Sequence, residues 1–396
     1  MSAPPENVLV IGAGLGGLRT AEQLRARGYP GDITLVGAES HLPYDRPPLS
    51  KQVLTGAWPP ERVVLRDADG LAALKIGTVL GTPVVRLGTR EAELADGRRL
   101  RGEAIVLATG ATPRRLPGQP AGVHTLRTLE DSLALRAALT GARSLLVVGG
   151  GFIGAEVAWA AREQGLRVTV VESLTVPCER ALGTTVGAVC ARLIREHGVE
   201  LRTAGTLSGF VDDHTVALSD GERLTADVVL AGVGAVPVTD LLRDHDSHTP
   251  DGLSCDSTGR VAGLPGVWAV GDVAAWADPV RGTPFRQEHW TGAAEQAAVV
   301  AAGILGAGPA EPVLPYFWSD QFGLKIQGIG RPALADTVVP LQGEGLRGGP
   351  VKGTVAGYFA RDKLTGVVGF GAARWIARYR PLVTNGADRH EAFALT

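Results

Sequence analysis

Two glycine clusters of identical spacing lie in the first half of the chain. Gly12, Gly14 and Gly17, with Gly16 inside the interval, follow the apolar run Asn7-Val8-Leu9-Val10-Ile11. Gly149, Gly151 and Gly154, with Phe152 and Ile153 inside the interval, follow Ser144-Leu145-Leu146-Val147-Val148. In a G-x-G-x-x-G turn the first glycine makes the bend, the second lets the backbone reach a pyrophosphate, and the third lets helix pack against strand. The helix N-terminus then stabilises the phosphate charge. One such cluster is weak evidence, because glycine turns also serve purely structural ends. Two, each in a strand–turn–helix–strand setting, imply two nucleotide sites.

An acid follows each cluster. Glu172 lies 18 residues beyond Gly154 at the end of its second strand, where a carboxylate accepts both ribose hydroxyls of an adenosine and repels a 2′-phosphate. No arginine or lysine follows before Arg180, so this site favours NADH over NADPH. Glu39 is the matching acid of the first unit, 22 residues past Gly17. Its strand ends near Gly37, so backbone groups at Ala38 share the ribose contact.

These residues need elements to hold them. Apolar spacing predicts helices through Leu18, Ala21 and Leu24 and through Val157, Ala160 and Ala161, and strands at Ile33–Val36 and Val168–Glu172. Ala104 to Gly110 and its echo Ala226 to Gly232 read as buried strands where the chain crosses between domains. A third glycine-bearing strand, Gly266 to Val273, ends at Asp272 and returns to the first domain. A helix over 292–305 leads into a linker at Gly306-Ala307-Gly308-Pro309 with Pro312, and the remainder alternates like a small α+β cap. The fold class is therefore α/β: two Rossmann-like dinucleotide-binding domains, residues 1–113 with 235–310 and residues 114–234, plus a C-terminal α+β domain over 311–396.

Bulk properties agree with this division. A chain of 396 residues exceeds one core's usual span. The net charge of −2 provides no field for nucleic acid or an anionic membrane. The apolar stretches near the N-terminus are strand-length, too short for a signal core or a spanning helix, so a soluble cytoplasmic protein is expected. Cys178, Cys190 and Cys255 are odd in number and far apart, which suits neither a disulfide framework nor a metal cluster.

The segment His41-Leu42-Pro43-Tyr44-Asp45-Arg46-Pro47-Pro48-Leu49-Ser50-Lys51 resembles the signature of the putidaredoxin-reductase type of ferredoxin reductase. The likeness continues through Ala108-Thr109-Gly110-Ala111-Thr112-Pro113-Arg114, Leu126-Arg127-Thr128-Leu129-Glu130-Asp131, Gly271-Asp272 and Phe317-Trp318-Ser319-Asp320-Gln321, and so spans essentially the whole chain. It implies a glutathione-reductase-like architecture in which the first glycine loop holds FAD and the second NADH, with the C-terminal third capping the flavin. The implied reaction carries hydride from NADH to FAD, then single electrons to an iron–sulfur ferredoxin that serves an oxygenase such as a cytochrome P450 or a ring hydroxylase.

The resemblance also assigns residues. Arg46, Arg114 and Arg127 offset pyrophosphate charge, Asp272 accepts a ribityl hydroxyl, and the backbone at Val84 holds adenine. Ala108, Thr109, Gly110, Gly271 and Gly234 complete the cofactor set. Lys51 stands beside the flavin, where a cation stabilises the reduced ring. Glu156 faces the nicotinamide, pairs with Lys51, or is a first-turn acid favoured by the helix dipole. Trp290 and Trp318 wall the isoalloxazine, and arginines 281, 286, 374, 378 and 380 are candidates for docking an acidic ferredoxin. Disulfide, peroxide and oxygen reductases of this architecture need cysteines near the flavin, and residues 39–51 contain none. The remaining alternative is a flavoprotein with a signalling or binding role, like the relatives of apoptosis-inducing factor.

Overall fold

The structure, a computed structural model, describes residues 4–243, 245, 251–278, 282–307 and 314–395. Contacts gather the chain into two units. One comprises Met1–Asp45, Glu61–Thr112 and Ala235–Val313, the other Arg46–Pro60, Pro113–Gly234 and Leu314–Thr396. Arg281 and the linker residues 308–313 lie outside the described residues.

The first unit is built on a parallel sheet ordered Val267–Ala269, Ala104–Leu107, Asn7–Ile11, Asp32–Val36, Ile76–Val79. Its central strand is apolar from Val8 to Ile11 because both faces are covered there. Val8 and Val10 enter one core with Leu18, Leu24 and Leu35, while Leu9 and Ile11 enter another with Leu87, Leu94 and Leu253. Burial of each such aliphatic side chain contributes about 1.5–3 kcal/mol. The helix Leu15–Ala26 lies against the helix Trp290–Ile304, which begins two residues before the expected 292. Gly16 leaves room for Val270, which a Cβ there would meet at 3.1 Å.

The strand expected to run through Val273 stops at Ala269. Gly271 takes φ +74° and turns the chain into a short 3-10 helix, Gly271–Val273. Ala274–Ala277 then joins a different sheet with Leu253–Cys255 and Pro284–Arg286.

The second unit repeats the plan with a parallel sheet ordered Glu200–Arg202, Arg167–Val171, Ser144–Val148, Val228–Ala231. Residues 314–395 supply an antiparallel sheet ordered Tyr316–Gln321, Leu324–Gly330, Lys363–Phe370, Val355–Ala360, Thr337–Gln342 and the helix Ala373–Thr384. This C-terminal sheet shares a core with the second Rossmann element: Phe317, Phe322, Ile326 and Tyr358 are buried among Ala155, Val186 and Cys190. Tyr358 also donates its hydroxyl to the Leu182 carbonyl at 2.7 Å.

Residues 46–60, expected within the first domain, pack in the second unit. Packing, hydrogen bonds and an ion pair hold them there. Leu54 enters the core with Leu135, Ser132 donates to the Leu49 carbonyl at 2.7 Å, and Lys51 pairs with Glu156. Among the described residues no helix is long and apolar enough to cross a membrane.

Candidate functional site

The first glycine loop is shaped by contacts that exclude side chains. Gly12 has φ +117°, and a Cβ there would lie 2.1 Å from the Ala108 carbonyl oxygen. A Cβ on Gly17 would lie 1.9 Å from the Gly12 carbonyl oxygen. Gly14 differs, because nothing lies within 4 Å of its virtual Cβ. It is the N-cap of the helix Leu15–Ala26, which has no side-chain cap and no acid in its first turn. Its outward N–H groups therefore await an acceptor from outside the helix.

The second loop has the same construction. Gly149, at φ +106°, and Gly154 are closed in by the carbonyl oxygens of Gly232 and Gly149, 2.3 and 2.1 Å from their virtual Cβ atoms. Gly151 is open and is the N-cap of the helix Phe152–Glu163, again with no side-chain cap and no acid in the first turn. Phe152 lies against Phe317 with ring centroids 5.3 Å apart, while Ile153 is exposed. Two uncapped helix N-termini behind side-chain-free backbone fit two pyrophosphates.

Glu172 stands at the mouth of the second loop, just past the strand Arg167–Val171. Its Oε2 accepts from the Gly150 N–H at 2.8 Å, and its Oε1 accepts from the Leu174 N–H at 2.8 Å and the Ser173 hydroxyl at 3.2 Å. Glu179 orders the loop that follows by accepting from the Thr175 and Val176 N–H groups at 3.0 and 3.2 Å. Arg202, whose carbonyl accepts the Glu172 N–H, is held by Glu200 and Glu222. Gly234, at φ +105°, accepts the Arg114 N–H at 2.9 Å.

In the first unit Ala38 is exposed and Glu39 accepts from the Tyr44 hydroxyl at 2.5 Å. Val84 sits in the antiparallel strand Val84–Gly88 opposite Leu94. Thr109 donates to the Val238 carbonyl at 2.7 Å, and the Gly110 carbonyl accepts the Val238 N–H at 2.9 Å. Gly271 donates to Gln296 Oε1 at 2.7 Å, which holds the turn carrying Asp272. Trp290 opens its helix and donates Nε1–H to Asp45 at 2.6 Å. Beside it, burial pulls the His289 imidazole below its ordinary range, and the Asp272 carboxylate opposes that shift.

In the second unit Arg46 donates to the Arg127 carbonyl at 2.5 Å, and Arg114 is exposed. The Leu126–Asp131 motif is also a capping box: Thr128 accepts from the Asp131 N–H, and Asp131 accepts from the Thr128 N–H. The T-x-x-D spacing carried that signal. Trp318 lies on the half-buried face of Tyr316–Gln321 and stacks near Tyr316, ring centroids 6.0 Å apart.

The sequence left Glu156 open among three roles, and the geometry brings it to Lys51. Its Oε2 accepts from Lys51 Nζ at 2.7 Å and Ser50 Oγ at 2.5 Å, and its Oε1 accepts from Ser319 Oγ at 2.6 Å and the Asp320 N–H at 3.2 Å. Ser50 and Ser319 were not singled out from the sequence. Both lie inside the family motifs quoted above, which assign them no role of their own, and both are buried polar residues.

The cysteines are unsuited to redox work. All three are free and buried. The neighbouring Cys190, together with burial, pushes the Cys178 thiol well up, and burial pushes Cys255 up to about 12. The thiolate is the reactive form, and the environment of Cys178 and Cys255 disfavours it.

Two glycine-loop sheets in series define a two-dinucleotide flavoprotein, and residues 6–297 match the family model described as pyridine nucleotide-disulphide oxidoreductase, with residues 316–395 matching the reductase C-terminal model. The chain belongs to the pyridine nucleotide-disulphide oxidoreductase family. It is 37% identical over 398 residues to the ferredoxin–NAD(+) reductase component of the anthranilate 1,2-dioxygenase system of Burkholderia cepacia, covering 98% of this chain and 96% of that protein. It is 36% identical over 340 residues to putidaredoxin reductase of Pseudomonas putida, covering 82% of this chain and 80% of that protein. Among solved structures, the covalent putidaredoxin reductase–putidaredoxin complex aligns with a TM-score of 0.90 at 32% identity, over 96% of this chain and 93% of the other.

Proposed function

We propose that the chain is an FAD-dependent NADH:ferredoxin oxidoreductase that passes single electrons to an iron–sulfur ferredoxin, which in turn serves an oxygenase such as a cytochrome P450 or a ring hydroxylase. The observation that carries this reading is the pair of uncapped helix N-termini behind open glycines, at Gly14 and Gly151, in a chain related along nearly its full length to a ferredoxin–NAD(+) reductase. FAD supplies the exchange between a two-electron donor and a one-electron acceptor. The protein's own residues bind, orient and shield.

In this reading residues 1–113 and 235–310 hold FAD, residues 114–234 hold NADH, and residues 311–396 cap. Gly12, Gly14, Gly16, Gly17, Ala38, Glu39, Val84, Ala108, Thr109, Gly110, Gly271 and Asp272 serve FAD, with Arg46, Arg114 and Arg127 offsetting phosphate charge. Gly149, Gly151, Phe152, Ile153, Gly154, Glu172 and Gly234 serve NADH. Lys51, held by Glu156, supplies positive charge to the reduced ring, and Trp290 and Trp318 exclude water. No cysteine takes part, and the reaction is cytoplasmic.

An absorbance spectrum of the purified protein before and after anaerobic NADH tests flavin, reductant and competence together. The expected result is a flavin spectrum bleached by NADH, followed by ferredoxin-dependent cytochrome c reduction. A protein that retains no flavin, or whose flavin NADH does not bleach, sinks the proposal.

A further inference from the structure

The strand Tyr316–Gln321 alternates strictly: Tyr316, Trp318 and Asp320 are half-buried, and Phe317, Ser319 and Gln321 are buried. Phe317 suits such a position. Ser319 and Gln321, exposed by 0% and 1%, do not, because a buried polar side chain costs free energy unless it is hydrogen-bonded. What offsets that cost for Ser319 is Glu156, itself 4% exposed.

The hydrogen bonds have one consistent direction. Gln321 Nε2 donates to Ser319 Oγ at 2.9 Å. With that lone pair engaged, the serine's own proton goes to Glu156 Oε1 at 2.6 Å, beside the Asp320 N–H at 3.2 Å. The other carboxylate oxygen takes Ser50 and Lys51. A carboxylate offers about four lone-pair positions, and four donors from two separate segments engage them. Glu156 is therefore held in one orientation, and with it the Lys51 ammonium.

We propose that Ser319, backed by Gln321, is a positioning residue that sets Lys51 through Glu156. The C-terminal sheet thereby determines where the cation of residues 46–51 stands. Its bearing on the flavin rests on the function proposed above, in which Lys51 offsets charge on the reduced ring. With Ser319 gone, the carboxylate's charge falls more fully on Lys51, and less of the lysine's field remains for the flavin.

Two readouts on the full-length protein decide it. The first is the acylation rate of the Lys51 amine, followed by mass spectrometry. It is expected to fall about tenfold in Ser319→Ala, the loss expected for one buried hydrogen bond, to stay at the wild-type rate in Ser319→Thr, and to change less than twofold when Ser319→Ala is added to Glu156→Gln. The second is the flavin midpoint potential, expected to fall in Ser319→Ala and to rise in Glu156→Gln. An unchanged acylation rate in Ser319→Ala, an equal change in the alanine and threonine variants, or an undiminished effect in the Glu156→Gln background overturns the inference. The acylation rates are compared at matched flavin content and can be read on flavin-free protein, so absence of flavin would count against the proposed function and leave the positioning role to be decided by the first readout.

Discussion

Glu172 and Gly150 are joined by a 2.8 Å hydrogen bond in which the acid that ends the second strand holds the backbone of the glycine loop. The same carboxylate fastens the loop and, in the function proposed above, presents negative charge to an adenosine ribose. Glu172→Ala is expected to raise the NADH concentration needed for half-maximal flavin reduction at least about tenfold and to lower stability by about 1–3 kcal/mol, because the Gly150 and Leu174 N–H groups lose their acceptor. Stopped-flow reduction with both dinucleotides checks the assignment. More efficient reduction of the wild-type flavin by NADPH than by NADH would overturn it, as Arg202, the nearby cation, is committed to Glu200 and Glu222.

Lys51→Met removes the cation from a pair whose side chains are 14% and 5% exposed. Breaking such a buried pair costs about 3–5 kcal/mol, tempered here because Ser50, Ser319 and Asp320 still donate to Glu156. Flavin retention is expected to weaken or flavin reduction to slow. A variant with wild-type flavin content, reduction rate and thermal midpoint would return Lys51 to the status of a peripheral lysine.

The arginines proposed to dock a ferredoxin divide by environment. Arg286 pairs with Glu288 and donates to the Asp272 carbonyl at 3.2 Å, so reversing its charge disturbs the turn that carries Asp272. Arg374, Arg378 and Arg380 are exposed, and the first two lie over the Trp375 ring at 5.3 and 4.7 Å. Arg374→Glu with Arg378→Glu is expected to cut ferredoxin-dependent cytochrome c reduction about tenfold at low salt and to flatten its salt dependence. NADH-to-ferricyanide activity should stay intact. Equal loss of both activities would mean a folding defect, and loss of neither would move the docking surface elsewhere.

His289 makes a pH prediction with a definite sign. Burial lowers its pKa in the native state from 6.5, so below that pH the unfolded chain binds a proton that the native protein does not. Stability therefore rises with pH and is lost on acidification from 6.5 toward the native value. Urea unfolding at pH 7.5 and 5.5 should show a loss at the lower pH that His289→Gln reduces. An identical loss in the variant would assign the acid sensitivity to other groups.

Both glycine loops, their sheets and Glu172 were legible in the sequence because each answers to a local rule of turn geometry, apolar period or strand end. The placement of residues 46–60 was not, because it depends on Leu54 and Lys51 finding partners 81 and 105 residues away at Leu135 and Glu156. The capping box at Thr128 and Asp131 was readable and was passed over in favour of the family motif. Ser319 lies inside a family motif that gives it no role: only the burial of its strand face and the arrival of Glu156 from another segment give its hydroxyl a purpose.

The order in which the chain visits its two units bears on how it folds. Four strands of the first sheet are complete by Leu107, yet the strand that covers Ala104–Leu107, Val267–Ala269, is made only after the whole second Rossmann segment. The second unit in turn awaits residues 314–395 to close its core around Phe317 and Tyr358. Neither unit can mature in the order of synthesis, and a nascent chain carries an open parallel-sheet edge, a pairing hazard, through more than a third of its translation. Folding is accordingly late, non-local and slow, and no single cut divides the protein into two self-sufficient halves.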